Sequence, residues 1–347
     1  MKPTELSTQL HLQPWQVNED DFPRRADDAE QWEFLLRYAI LAPSSHNTQP
    51  WLFRIRRDTL EMYADRARGL RVCDPLDRQL IISCGCALYH LRVAMEHFGR
   101  LGSIATLPDP NDPDLLARVR LGEHGSPNVE DNLLFASIVK RRTNRQPFED
   151  RPLPETLISA LQLAAHAERN WLHFVRDEES KHAVADLIAE GDRRQWAEKR
   201  FRLELAAWVH TNHAHIRDGI PGYAQDVNDL LSYAGPLVVR TFDMGEGQAA
   251  KNHEIAAHSP ALAVLGSEGD SPRDWLHTGQ ALAHLLLRAR MEDVWASFLN
   301  QPVEVPDLRT RLAALLKTSG YPQLVLRLGY GPEVRPTPRR DVEEVII

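Results

Sequence analysis

The chain has 347 residues, 43% of them apolar and 26% charged, with a formal net charge of -8. That length and apolar content supply a core for one large domain or two smaller ones. The mild acidity argues against a nucleic-acid protein, which would present a strongly basic face.

The first 25 residues contain no apolar h-region, and no uninterrupted apolar run is long enough to span a bilayer. A cytoplasmic protein with no membrane partner is therefore expected. Residues 30–41 (EQWEFLLRYAIL) place apolar side chains at helical spacing, and residues 52–65 (LFRIRRDTLEMYAD) alternate like a hairpin. Between them lies residues 42–51 (APSSHNTQPW), with far more small polar side chains than a short turn needs. Cys73, Cys84 and Cys86 cannot close a disulfide framework and suit a reducing compartment. Cys84 and Cys86 form a C-x-C pair with no second pair or histidine cluster to complete a metal site, so a buried structural role is expected.

An internal repeat organises the chain. GCALYHLRVAM from Gly85 and GQALAHLLLRA from Gly279 share the frame G-x-A-L-x-H-L, and each opens an amphipathic helix. Earlier in each copy, WLFRI at Trp51 matches WLHFV at Trp171, and each follows an apolar helix. The expected organisation is a first unit over 1–134 and a second over 135–347. The second contains a charged stretch, about 190–247, that is either a lid or an added packing element. The copies differ in a complementary way. Only the first carries APSSHNTQP before its strand, and only the second carries KRRTNRQPF (140–148), so a single composite site shared by the halves is expected.

In RRTNR, Arg141, Arg142 and Arg145 surround the hydroxyl of Thr143, a donor set that matches phosphate oxygens. Ser44, Ser45, His46 and Asn47 suit the polar edge of a planar ring, although Ser and Asn also favour caps and turns. Other signals are weaker. His210, His213 and His215 have only Asp218 as a close carboxylate, which does not make a metal site. GEGQAAK (245–251) lacks phosphate-loop spacing and reads as a loop. Gly329 reads as a turn glycine after the strand PQLVLRL.

Taken together, APSSHNTQPW, RRTNRQPF, LNQPVEV and PTPRR resemble the FMN-binding motifs of the nitroreductase superfamily. From about residue 28 to the end, the chain resembles its twin-domain, Acg-type branch. The resemblance implies an α+β fold with mainly antiparallel sheets flanked by helices, here as two tandem units forming an intrachain pseudo-dimer and acting as a monomer. It implies that Arg141 and Thr143 bind the FMN phosphate and that Arg145 lies near the N1/O2 edge of the ring. Pro43, Ser44, Ser45 and Asn47 would line the isoalloxazine from the other half. Glu304 would lie near the flavin N5, and Arg339 or Arg340 would reach the phosphate. Val305 stands where glycine is frequent in the family, and Pro147 interrupts the usual run into the aromatic. The implied activity is reduction of a nitroaromatic, quinone or related small aromatic acceptor by NADH or NADPH through FMN, with no catalytic side chain because the flavin carries the chemistry. The alternative is a non-enzymatic protein that stores or sequesters FMN.

Overall fold

The computed structural model describes residues 12–123, 125–212, 214–225 and 232–347. Helix α1 (Asp28–Ala39) begins where the Asp27 carboxylate accepts from the Glu30 amide, and it buries Trp32, Leu35 and Leu36. The chain then forms the hairpin β1 (Trp51–Arg56) and β2 (Thr59–Ala64), as its alternation predicts. Helix α2 (Arg78–His97) follows, then β3 (Leu101–Thr106), β4 (Leu115–Leu121) and α3 (Val129–Ile138). The expected junction at 134/135 falls inside α3, which packs against helices of both halves.

The second half runs through α4 (Glu155–Ala167), β5 (Asn170–Val175), α5 (Glu178–Ala197), α6 (Lys199–Trp208), β6 (Val209–His210) and β7 (Ile220–Pro221). It continues through α7 (Gly235–Thr241), α8 (Gly245–Ala257), β8 (Ala261–Ser267), α9 (Pro272–Met291), β9 (Trp295–Phe298), α10 (Gln301–Glu304), α11 (Pro306–Leu315) and β10 (Tyr321–Gly329). The residues 245–251, expected as a loop, instead open α8. The Asp243 carboxylate accepts from the Gly245 amide, and the run of Ala, Gln, Lys and Glu that follows favours helix strongly enough to carry two glycines. Gly329 closes β10 rather than lying beyond it, and a Cβ there would meet the Phe148 side chain at 2.8 Å.

The two halves have one topology. Strand order is β1-β2-β4-β3 in the first sheet and β5-β8-β10-β9 in the second, and every ladder in both is antiparallel. The helix between the second and third strands of each sheet, α2 or α9, is the one carrying G-x-A-L-x-H-L. The second copy replaces the tight β1–β2 turn with residues 176–260. Within that stretch, α5 and α8 cover the outer face of the second sheet. Alternate residues of β8 therefore face two cores: Ala261, Ala263 and Leu265 face the shared interior, while Leu262 and Val264 face α5 and α8. Burial on both faces explains the continuous apolar run of β8.

Helices α2 and α9 cross at the glycine that opens each repeat. A Cβ on Gly85 would lie 2.3 Å from the Leu276 carbonyl oxygen and 2.8 Å from the Gly279 Cα. One on Gly279 would lie 2.0 Å from the Ile82 carbonyl oxygen. One outer edge of each sheet is covered by a further segment: the carboxyl-terminal tail of the second half covers β1, and the stretch around Thr143 covers β9. The Phe53 amide donates to Val345 at 2.7 Å and the Ile347 amide to Phe53 at 2.8 Å, which adds the tail to β1. Thr143 bridges Ala296 beside β9, with the Asn144 amide donating to Ala296 at 3.0 Å.

Either Gly85→Ala or Gly279→Ala should lower the unfolding free energy by about 1–3 kcal/mol, because rigid backbone rather than a flexible side chain meets the new methyl. Alanine's intrinsic helical advantage of about 1 kcal/mol works against this loss. Urea unfolding measures the balance, and a stabilised variant would contradict the close approach.

Candidate functional site

The polar stretch after α1 is a strained turn. His46, Asn47 and Gln49 all have positive φ (50°, 56° and 51°), a region that costs a non-glycine residue about 1–2 kcal/mol. Side-chain hydrogen bonds hold it in place. The Ser44 hydroxyl accepts from the Gln49 amide at 2.9 Å. The Asn47 amide group donates to the carbonyls of Gly219 and Pro338, each at 3.0 Å, and its oxygen accepts from Arg339 Nη1 at 2.7 Å. Asn47 thus ties two distant segments, one at Gly219 and one at Pro338 and Arg339, to the turn. Pro43 is buried beneath the turn, whereas Ser44, Ser45 and His46 are half-buried.

Three guanidiniums meet this turn. Arg141 and Arg339 are 2% and 3% exposed, and both donate to the Leu41 carbonyl, from Nη2 at 3.2 and 3.4 Å. Arg339 also donates to the Thr337 hydroxyl at 2.7 Å and the Pro338 carbonyl at 2.9 Å. The Nε of Arg141 and that of Arg339 are buried without a partner. Arg145 donates to the Ala224 carbonyl at 3.3 Å. No ion pair among the described residues involves Arg141, Arg145 or Arg339. Burial pulls Arg141 and Arg145 down to about 10, and it pulls Arg339 well below its ordinary value, with repulsion from Arg141 and Arg142 adding to the effect. Uncompensated buried cations are unfavourable unless an anion joins them, so this donor set fits a phosphate group.

His46 and Arg145 are each half-buried, and Arg145 acts electrostatically on the His46 ring. Burial, reinforced by Arg145, lowers the His46 imidazole's affinity for a proton against the opposing pull of Glu304 and Glu204; its Nδ1 is buried without a partner. Thr143 sits half-buried on the segment bridged to β9.

Glu304 joins the site through a relay. The Ser45 hydroxyl donates to Gln79 Oε1 at 2.6 Å, and Gln79 Nε2 donates to one Glu304 oxygen at 2.8 Å. Gln195 Nε2 donates to the other at 2.7 Å. Arg78 fixes the same corner by donating to the Val303 carbonyl at 2.9 Å. Arg340, by contrast, is turned away from Arg141. Its amide donates to Gln49 Oε1 at 2.8 Å and its guanidinium to the carbonyls of Gln49 and Glu344. The 190–247 stretch reaches the same turn. The Gly219 amide donates to the Asn47 carbonyl at 3.2 Å, Asp218 pairs with Arg68, and Glu204 accepts from the amides of Val72 and Cys73. His210 lies 3.5 Å from Asp218, and His213 falls outside the described residues. Cys73, Cys84 and Cys86 are free and buried.

No protein-family model matches the chain. A Mycobacterium tuberculosis (strain ATCC 25618 / H37Rv) protein carrying an NAD(P)H nitroreductase name is 30% identical over 325 residues, covering 92% of each chain. The chain belongs to the nitroreductase superfamily. Its similarity to the protein named NAD(P)H nitroreductase acg from the same organism, 27% identity over 320 residues, covers 89% of this chain and 93% of that one and assigns the Acg-type branch. Among solved structures, an FMN- and NADPH-dependent nitroreductase from Sphigopyxis sp. strain HMH is 15% identical with a TM-score of 0.42, covering 62% of this chain and 97% of its own. A Mycobacterium smegmatis FMN-dependent nitroreductase in complex with NADPH is 18% identical with a TM-score of 0.39, covering 61% and 96%.

In this nitroreductase-superfamily chain, the arginine segment reaches the region of the polar turn through the Arg141–Leu41 hydrogen bond and the Arg145–His46 electrostatic contact. Sequence reasoning missed Gln79 and Gln195, which have no motif of their own, and Asp192. Asp192 accepts from Asn252 at 2.9 Å and from Gln301 at 3.1 Å, and so seats α10 on α5. Burial raises its carboxyl from 3.8 to about 6. A folded-state value above the unfolded one means its stabilisation is present in full below about 3.8 and is lost as pH rises through about 6. The stability difference between wild type and Asp192→Asn should therefore decline across that window. Unfolding titrations at several pH values measure it, and a flat difference would contradict the buried assignment.

Proposed function

We propose that this chain is an FMN-dependent NAD(P)H oxidoreductase with one flavin site shared between its two halves, which form an intrachain pseudo-dimer. The observation that carries the reading is the pair of buried, acid-free guanidiniums, Arg141 and Arg339, on the polar turn at Ser44–Asn47. Bound FMN would supply hydride acceptance from NADH or NADPH and hydride donation to an electron-poor acceptor such as a nitroaromatic or quinone.

The protein's part is binding and electrostatics. Arg141, Arg339 and the Thr143 hydroxyl would hold the phosphate; of the two adjacent tail arginines Arg339 is the candidate ligand, because its Nε is unpartnered and no acid pairs with it, whereas Arg340 has Asp65 at 3.9 Å. Arg145, beside His46, would supply a cation to stabilise the negative charge of the reduced ring. Pro43, Ser44, Ser45 and His46 form the wall from the first half, and Asn47 orients Arg339. Glu304, gripped by Gln79 and Gln195, fixes the corner of the site opposite Ser45.

A storage reading draws support from the strap around Gly219, which is hydrogen-bonded to the turn and would restrict access by a second substrate. Anaerobic mixing of the yellow protein with NADPH or NADH separates the two readings. Rapid loss of the flavin band is expected for the enzyme. Reduction by dithionite alone would replace that reading with storage.

Flavin released on denaturation should amount to one FMN per polypeptide, since each half carries only part of the site. A ratio near two would rule out the shared site. Arg141→Ala and Arg339→Ala should each weaken FMN binding by about tenfold to a hundredfold, from the loss of charge-assisted hydrogen bonds worth about 1.5–3 kcal/mol. Riboflavin, which lacks the phosphate, should barely respond, and Arg340→Ala should affect both flavins alike. Fluorescence titration of the two flavins reads out these contrasts. Equal small losses for FMN and riboflavin in Arg141→Ala and Arg339→Ala would remove the phosphate assignment.

A further inference from the structure

The segment ahead of Asp28 precedes both copies of the repeat, yet it reaches the arginine cluster. One short turn, Gln13–Gln16, buries Trp15. The Trp15 indole N–H donates to the Thr337 carbonyl at 2.8 Å. The Arg142 guanidinium lies over its ring at 3.7 Å from the centroid, and that of Arg339 lies over it at 4.8 Å. Arg142 in turn donates to the Arg141 carbonyl at 2.8 Å, and the Thr337 hydroxyl accepts from Arg339 at 2.7 Å. One indole therefore touches both arms of the cluster, the RRTNR segment and the tail.

The chemistry of the ring suits this place. Three guanidiniums crowded together repel one another and need a counterpart to keep their rotamers. A carboxylate would supply one, but it would neutralise the cluster and compete with an incoming anion. The negative face of an indole attracts cations without carrying charge, so it damps the repulsion and leaves the net positive charge available. Arg142 also lines a pocket of about 390 Å³ together with Glu333, whose carboxylate attracts it. The indole holds Arg142 against that pull.

We propose that Trp15 is a positioning residue for the cofactor phosphate, holding Arg142 and Arg339 in place without neutralising them. This inference rests on the reading that Arg141 and Arg339 bind the FMN phosphate. It makes the segment ahead of α1 part of the flavin site.

The test compares Trp15→Leu, which keeps apolar bulk but has no ring face, with Trp15→Phe, which keeps a ring. Each full-length protein is stripped of flavin and titrated with FMN and with riboflavin, and its thermal unfolding is recorded. Trp15→Leu should raise the FMN Kd about tenfold while leaving riboflavin within about twofold, and Trp15→Phe should recover most of the FMN affinity. If Leu and Phe behave alike, or if both flavins weaken together in step with stability, the indole is packing only and the inference is overturned. Arg141→Ala in the same titration keeps the two ideas separate. A phosphate-selective loss there with none in Trp15→Leu sinks the inference and leaves the flavin reading standing. No selective loss in Arg141→Ala removes Arg141 from the reading, while the Trp15 variants still decide whether the indole serves Arg339.

Discussion

Two helix backbones touch where Gly85 meets Gly279, and this contact places every other part relative to its counterpart. Because the two glycines occupy the same interior position of equivalent helices, α2 and α9 approach closely there and their two sheets are presented in corresponding ways. The shared interior, with Leu88 and Leu91 from one helix and Leu282 and Leu285 from the other, is continuous across the halves. A larger residue at either position would push the backbones apart and carry the polar turn of the first half away from the arginines of the second. The site's geometry is therefore set by a contact that contains no functional group.

Around that contact the chain accumulates unfavourable features at one place. Three left-handed non-glycine residues, two buried guanidiniums without acids and an imidazole with an unpartnered nitrogen all converge there. Each is tolerated because neighbouring bonds over-determine it. Asn47 ties the insertion, the tail and Arg339 together, Gln49 is held by Ser44, and Arg78 and Gln79 fix the corner bearing Glu304. Local strain and unmet electrostatic demand concentrated in one spot are how a folded chain prepares a place for a ligand.

Much of this was legible in the residues. The periodicity of residues 30–41 and 52–65 gave α1 and the first hairpin, and the doubled G-x-A-L-x-H-L frame gave the two equivalent helices. The complementary loss of APSSHNTQP and KRRTNRQPF pointed to two segments that the structure connects through Arg141 and Leu41. What remained hidden was decided by long-range packing. Adjacent arginines 339 and 340 are chemically identical in sequence, and only the path of the tail along β1 sends one inward and the other to Gln49. Gln79 and Gln195 are ordinary helix residues until a distant glutamate is brought between them. The stretch 245–251 lacks phosphate-loop spacing, but that says nothing against helix, and the helix-forming residues after its two glycines extend α8 through it.

The Asn47–Arg339 hydrogen bond spans 292 positions of sequence. Closing a loop of that length precedes any energetic return, so contacts of this kind form late in folding. The core helices and both sheets can be in place while the Asn47–Arg339 contact is still open, because its two partners belong to distant stretches of chain. Such an intermediate would have nearly all its secondary structure and no grip on a flavin. For a chain built this way, acquisition of colour is a clock for the final step of folding, and the visible spectrum would follow the docking of the tail more closely than any measure of helix or strand content.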